Sequence, residues 1–119
     1  MKYEDIPALD KEEIEAAIVR DDPEELLRAV LSAALYSDDP AWSEGVCVRL
    51  SGHKYFNVRG NAILGFGHIA RLHAKLTERK VKPLIEAAFK DKSQYVRGQA
   101  NDAADDVEYF LKWKVNREN

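Results

Sequence analysis

Four carboxylates crowd one short stretch near the end of the sequence, at Asp102, Asp105, Asp106 and Glu108. Carboxylates this close together can bind a metal ion or act in acid–base catalysis. No neighbouring motif completes such a site, so we expect neither role. Like charges four residues apart in a helix cost about 0.2–0.5 kcal/mol. The cluster is therefore expected either to keep the end of the domain soluble or to attract a basic partner.

The histidines and the cysteine are the other candidates for chemistry. His68 and His73 are five residues apart and point to different sides of a helix, so no zinc site is expected. His53 ends a loop and should make a local hydrogen bond. The single cysteine, Cys47, lies between two valines and should be a buried thiol. We expect no enzymatic activity, no cofactor and no metal.

Three glycines, Gly60, Gly65 and Gly67, suggest a phosphate-binding loop at first sight. That motif requires a preceding strand and a following Lys-Ser or Lys-Thr, and neither is present. Glycine inside a helix costs about 1 kcal/mol relative to alanine. We expect Gly65 and Gly67 to allow another helix to approach closely.

A basic run crosses a predicted loop and could contact phosphate. The formal net charge is −3, from 18 basic and 21 acidic residues, which disfavours binding to nucleic acid. Glu78 also interrupts the run. Its members are Arg71, His73, Lys75, Arg79, Lys80 and Lys82.

Composition indicates one folded domain. The chain has 119 residues, of which 45% are apolar and 33% are charged. One cysteine permits no internal disulfide, and the acidic start does not resemble a secretory signal. No apolar run approaches the roughly 20 residues that a membrane span requires. These features predict a cytoplasmic protein without a membrane segment.

Capping residues and apolar spacing predict six helices and no strands. Asp10 with Glu13 forms a capping box, and the pairs Asp22-Pro23 and Asp39-Pro40 each begin a helix. Pro83 is expected to delay or kink the fifth helix. The predicted ranges are 11–20, 23–36, 41–50, 57–74, 77–90 and 93–114, with Thr77 as a possible cap.

The stretch 58–62, Val-Arg-Gly-Asn-Ala, returns 38 residues later at 96–100 as Val-Arg-Gly-Gln-Ala. A fixed period of this length predicts stacked helical repeats. Apolar positions match as well and should face inward in both copies. The matched pairs are Val46 with Leu84, Cys47 with Ile85, Leu50 with Ala88, Phe66 with Ala104, Ile69 with Val107, and Leu72 with Phe110.

The run from Val58 to Ile69 resembles the second helix of a HEAT repeat. That pattern reads Val-Arg, two variable residues, Ala-Ala, one variable residue, Ala-Leu-Gly, one variable residue, Ile. The family also places an Asp six residues before the Arg, as Asp91 precedes Arg97, whereas His53 departs from this pattern. The resemblance covers roughly residues 21–114 and implies an all-α solenoid of about three antiparallel HEAT-like helix pairs.

Small acidic proteins with two or three degenerate HEAT-like repeats resemble a group of bacterial immunity proteins. Those proteins belong to contact-dependent or polymorphic toxin systems, and they bind and neutralise a toxin domain, often a nuclease. The resemblance rests on size, acidity and fold. It implies a protein partner, namely a basic toxin domain.

The repeat register predicts which side chains line a concave face between the second helices of the pairs. Aromatic, charged and amide groups on a rigid helical face are typical of protein-binding surfaces. The alternative is an ordinary solvated face with scattered large residues. The predicted partner-binding residues are Tyr36, Asn61, Leu64, His68, Arg71, Gln99, Asp102, Asp105, Asp106 and Tyr109.

The sequence therefore predicts a non-catalytic protein-binding module, with an immunity protein as the leading hypothesis. A scaffold or adaptor for a host protein is the second hypothesis. A HEAT-like protein that binds nucleic acid, such as a glycosylase, is the third, and it would need a broader basic face and more repeats.

Overall fold

The computed structural model describes residues 5–117, and α-helices make up most of them. No β-strand occurs in this range, which confirms the all-α prediction. The helices are α1 (Lys11–Arg20), α2 (Pro23–Tyr36), α3 (Pro40–Leu50), α4 (Phe56–His73), α5 (Glu78–Ala88) and α6 (Gln94–Leu111).

The first three helices begin at the capping residues that the sequence predicts. The Asp10 carboxylate accepts a hydrogen bond from the Glu13 N–H, and the Glu13 carboxylate accepts one from the Asp10 N–H. The Asp22 and Asp39 carboxylates accept from the N–H groups of Glu25 and Trp42 at the starts of α2 and α3, and each aspartate is followed by proline. Such caps satisfy N–H groups that have no partner inside the helix, and each contributes about 1 kcal/mol.

The later helix ends differ from the prediction. α6 ends at Leu111 rather than near 114, because Lys112 adopts a left-handed conformation with φ of 62° and the chain turns back. α5 ends at Ala88 rather than at 90 and contains Pro83. Thr77 precedes α5, but its side chain makes no capping bond. Its N–H instead donates to the Glu44 carboxylate of α3 at 2.6 Å.

Helix α4 lies at the centre of the packing and contacts α2, α3, α5 and α6. Each of α1, α3 and α5 packs against the helix or helices that neighbour it in the chain. The principal extents are 36 × 29 × 25 Å, so the stack is only slightly longer than it is wide.

Every residue from Gly60 to Ala70 in α4 is buried, as the apolar character of this helix on all sides predicts. The glycines permit this burial. A Cβ on Gly65 would lie 2.7 Å from the Cys47 Sγ, and a Cβ on Gly67 would lie 3.2 Å from the Cα of Ala103. The prediction that these two glycines allow close helix approach is confirmed.

Polar side-chain contacts join neighbouring loops and helix starts at one end of the molecule. The Arg59 guanidinium donates to both oxygens of Asp91, at 2.8 and 2.7 Å, with both side chains mostly buried. The His53 ring contacts the Asp21 carboxylate at 2.7 Å. Asp91 thus pairs with the arginine of the preceding helix pair, whereas Arg97 donates to the Asp91 backbone carbonyl. The carboxylate of Asp91 therefore pairs with an arginine of α4, and the arginine six residues after it contacts only its backbone carbonyl.

We predict that Gly67→Leu lowers the free energy of unfolding by about 1–3 kcal/mol, because the added side chain would overlap α6. The measurement is denaturant unfolding followed by circular dichroism. Gly98→Leu is the matched control, because Gly98 lies in α6 with nothing within 4 Å of its Cβ position. The control should unfold at the same or a higher denaturant concentration, since leucine favours helix over glycine. Equal stability of the two variants would contradict the packing explanation.

Candidate protein-binding surface

Hydrogen bonds between helices align α2, α4 and α6 in the same direction. Near their N-terminal ends, the Asn61 amide donates to the carbonyl of Leu27 in α2 at 3.2 Å, and the Tyr95 hydroxyl of α6 donates to the Asn61 side-chain oxygen. At the other end of α4, the His73 ring lies 3.2 Å from the Ser37 carbonyl, just beyond α2. The C-terminal ends of the three helices therefore lie side by side.

Large side chains are exposed along these aligned ends, which we term the C-terminal edge. Tyr109 is 69% exposed and Tyr36 is 48% exposed. Large apolar and aromatic groups left in water at one place on a small protein typically mark a protein-binding surface. The edge consists of Tyr36, Arg71, Leu72, Tyr109 and Phe110.

Two members of this edge, Leu72 and Phe110, were expected to face inward as a matched apolar pair. They are instead 44% and 37% exposed, because they lie in the last turns of α4 and α6, beyond the closest helix contacts. The Phe110 and Tyr109 rings meet edge to face, with centroids 4.8 Å apart. Their place in the final turn of each repeat is the sequence signal that could have identified them.

The prediction that Asn61, Leu64 and His68 line an open face is wrong with respect to exposure. All three side chains are buried. Close packing of α2 and α6 against α4 covers the middle of the predicted face. Gln99 is half-buried, with its Cγ 3.5 Å from the Cβ position of Gly60. Only the ends of α4 reach the surface.

The acidic cluster divides between two faces of α6. Asp106 packs against Gly67 on the side that faces α4, and Asp102, one helical turn earlier, shares that side. Asp102 is exposed and Asp106 is half-buried. Neither forms a salt bridge within residues 5–117. Asp102 and Asp106 therefore share the side of α6 that faces α4, and their place in a partner-binding surface stays a prediction.

Asp105 points to the other face of α6, where the folded-back C-terminal segment neutralises it. Arg117 donates to Asp105 and to Asn101 at 2.8 Å each, and it also bonds to Glu108. Val115 is buried in the same segment. The expectation that Asp105 belongs to the partner-facing surface is therefore not supported by its position. The predicted helix runs to about residue 114, and no local pattern indicates that the chain turns back after Leu111 and brings Arg117 to Asp105.

A basic, a neutral and an acidic side chain lie near one another where the C-terminal edge joins the buried centre of α4. They are Arg71, His68 and Asp106. The Arg71 guanidinium lies 3.1 Å from the His68 Nδ1. Burial, together with the charge of Arg71, lowers the pKa of His68 to about 4, so this ring is neutral at pH 7. Burial raises the pKa of Asp106, and the nearby acids add to this while Arg71 opposes it. Arg71 thus contacts a neutral histidine and lies near enough to Asp106 for its charge to act on that carboxylate.

Cys47 and His53, the other residues considered for chemistry, make contacts that support the fold. Burial raises the pKa of the Cys47 thiol to about 12, which is consistent with a core residue. His53 makes the expected local contact, by accepting from the Tyr55 N–H. No group of three or more His, Cys, Asp or Glu residues placed to hold a metal ion occurs in the described range.

The basic run is largely solvent-exposed. Arg71, Lys75, Arg79 and Lys80 are exposed, and none forms a salt bridge in the part of the chain that the structure describes. Among residues 5–117, no helix combines the length and apolarity that crossing a membrane would require.

Comparison with known proteins shows a likeness to a solved structure. No protein-family model matches the sequence, and no curated protein matches it. The fold is similar to a chain in a solved structure described as the crystal structure of a CDI complex from Cupriavidus taiwanensis LMG 19424. The TM-score is 0.79 and the sequences are 26% identical, over 92% of this chain and 97% of that chain. The likeness therefore extends over nearly the full length of both chains.

We predict that His68 makes the stability of the fold depend on pH between about 6.5 and 4. Its pKa in the folded state is lower than the value of about 6.5 expected in the unfolded chain. The stability from the neutral ring is thus present above pH 6.5 and is lost as the pH falls toward 4. Denaturant unfolding at pH 7 and pH 5 should show a loss on the order of 1–2 kcal/mol relative to His68→Gln.

The parent protein and His68→Gln contain the same carboxylates. The contribution of those groups to the pH dependence of stability therefore cancels when the two proteins are compared. Carboxylates with lowered pKa values, such as Asp91, change their protonation below about pH 4, which is outside the interval between pH 7 and pH 5. A parallel pH dependence in the two proteins, or an NMR titration of His68 centred near 6.5, would contradict the prediction.

Proposed function

We propose that this chain is the immunity protein of a contact-dependent growth inhibition system. It binds a cognate toxin domain and neutralises it without catalysing a reaction. The observation that carries this proposal is the full-length likeness to a chain of the CDI complex from Cupriavidus taiwanensis. A second support is the C-terminal edge, where large side chains are exposed on a small protein.

The C-terminal edge forms the centre of the toxin-binding surface. Tyr109, Phe110 and Tyr36 supply aromatic area, and each loses little side-chain entropy on binding. Arg71 is held toward His68 by its 3.1 Å contact, so part of the cost of ordering its side chain is met before binding. The edge is rigid because each residue lies on a helix that packs against α4 or forms part of it.

Asp102 and Asp106 give this surface a negative border, which favours a basic toxin domain. Neither acid has a salt-bridge partner within residues 5–117, and Asp106 is already partly desolvated. A basic side chain of the toxin would therefore gain a charge pair with a reduced desolvation cost. A nuclease-type toxin fits best, because its substrate groove must be basic to bind nucleic acid. Long-range attraction between these charges should speed association and weaken with salt.

Stacked helix pairs explain how so small a protein offers a preformed surface. We propose that the three pairs form a HEAT-like solenoid, with the ladder of Asp21 to His53 and Arg59 to Asp91 holding successive loops in register. Asn61 and Leu64 then act by supporting the surface from beneath. In the proposed system the protein acts in the cytoplasm, where it meets toxin that has entered the cell.

The test is neutralisation of the toxin domain encoded directly upstream of this gene in its source genome. Co-expression should restore growth of cells that produce the toxin, and the purified proteins should form a one-to-one complex by size-exclusion chromatography. Tyr109→Ala and Asp102→Lys should each weaken the affinity at least tenfold by calorimetry, about 1.4 kcal/mol or more. The affinity should also fall with added salt.

The control for these variants is Glu24→Lys, which makes the same charge change at an exposed position in the first turn of α2, at the opposite end of that helix from Tyr36. It should bind like the parent protein. Unchanged binding by both edge variants would remove the C-terminal edge from consideration. Failure to rescue growth, together with capture of a host protein that recognises the same edge, would favour the adaptor hypothesis instead.

A further inference from the structure

A small cavity lies at the opposite end of α4 and α6 from the C-terminal edge. Its volume is about 290 Å³, enough for one large side chain rather than a folded ligand. The 18-residue length of α4 places it about 27 Å from the edge. We term it the N-terminal pocket, and it is lined by Lys54, Tyr55, Phe56, Arg59, Lys92 and Ser93.

The walls of this pocket are aromatic. Phe56 is 50% exposed and Tyr55 is 45% exposed. The Phe56 ring packs edge to face on Tyr95 of α6, with centroids 5.9 Å apart. Arg59 is fixed by Asp91 and by the His53 and Lys54 carbonyls, so it forms a rigid base. The pocket is therefore preformed.

Tyr55 occupies the N-cap of α4 and makes no side-chain capping bond. Ser93, at the same place before α6, does cap its helix. A capping side chain contributes about 1 kcal/mol, so a tyrosine here forgoes stability that a serine or aspartate would supply. Its half-exposed ring instead supplies one wall of the pocket. A tyrosine at the N-cap position is expected where the side chain contributes to binding rather than to the stability of the helix.

The rim of the pocket is positive. Lys54 and Lys92 are exposed, and neither forms a salt bridge in the range 5–117. The Lys54 ammonium lies 5.4 Å from the centre of the Tyr55 ring. The first turns of α4 and α6 contain no acidic residue, and Asp91 is already paired with Arg59. The positive ends of two helices add to this field.

We propose that the N-terminal pocket is a second docking site, which accepts an acidic segment of a partner protein. An apolar or aromatic side chain of that segment enters between Tyr55 and Phe56. A neighbouring carboxylate pairs with Lys54 or Lys92. The site is separate from the C-terminal edge and opposite to it in charge preference. It therefore extends the proposed function and does not require a toxin as the occupant.

A protein segment suits this pocket better than nucleic acid. Nucleic-acid affinity grows with the number of phosphates neutralised, and only two unpaired cations border the pocket. The net charge of −3 and the acids of α6 would repel a longer polyanion. The volume of about 290 Å³ also limits entry to a single side chain.

The experiment is an NMR titration of the isotope-labelled full chain with two capped hexapeptides. One reads Glu-Glu-Phe-Leu-Glu-Glu and the other reads Lys-Lys-Phe-Leu-Lys-Lys. The acidic peptide should shift the amide signals of Tyr55, Phe56 and Ser93 in a saturable manner. The dissociation constant should be on the order of 1 mM, as expected for a short flexible ligand. The basic peptide should leave these signals unchanged.

Two variants test whether the residues of the N-terminal pocket bind the acidic peptide. Lys54→Glu with Lys92→Glu should weaken binding at least tenfold, and Phe56→Ala should weaken it as well. The charge-matched control is Lys75→Glu with Lys80→Glu, on the α4–α5 turn and α5, which should bind like the parent. All four lysines are exposed, so these variants should melt within a few degrees of the parent.

Three results would overturn the proposal. The first is equal shifts with both peptides, and the second is no saturable shift with the acidic peptide. The third is tighter binding of a single-stranded hexanucleotide at the same amides, which would identify a nucleic-acid site. If Phe56→Ala unfolds, the lysine pair and its control decide the outcome. Loss of toxin neutralisation by edge variants alone would leave this site unaffected, so the two proposals can fail separately.

Discussion

The close packing around α4 is the constraint on which the rest of the molecule depends. Eleven consecutive residues of this helix, 60–70, are buried, so neighbouring helices must approach it on every side. Glycines at 60, 65 and 67 remove the side chains that would prevent this approach. The consequence for function is direct. A helix buried along its middle can present side chains only at its ends, and both candidate binding sites lie there.

Polar bonds set the register of this packing, because apolar contacts alone would allow helices to slide. Asn61 bonds to α2 through its amide and accepts from Tyr95 of α6, and a buried amide left without partners would cost about 1–3 kcal/mol. The ion pair of Arg59 and Asp91 likewise fixes the start of α4 relative to the loop that precedes α6. With α2, α4 and α6 held in parallel, their last turns align into one edge and the N-terminal ends of α4 and α6 border one pocket.

The two candidate sites differ in the acids beside them, although basic groups occur near both: Arg71 belongs to the C-terminal edge, and the Lys112 ammonium lies 5.1 Å from the centre of the Tyr109 ring. Arg117 neutralises acids on the outer face of α6, which leaves Asp102 and Asp106 as the unpaired acids beside the aromatic edge. At the other end, two lysines border aromatic walls where neither helix supplies an acid in its first turn. In the two proposals, these surfaces accept partners of opposite charge.

Local signals in the sequence determined the helices, their starts and the apolar centre of α4, because capping and periodic burial act over a few residues. The 38-residue echo also identified equivalent positions in α4 and α6. Tertiary structure alone decided which of those positions reach water. Asn61, Leu64 and His68 are covered, Leu72 and Phe110 are exposed, and Asp105 is paired with Arg117. These outcomes depend on how closely helices approach and where the chain turns after 111, which are distances between segments that no local pattern encodes.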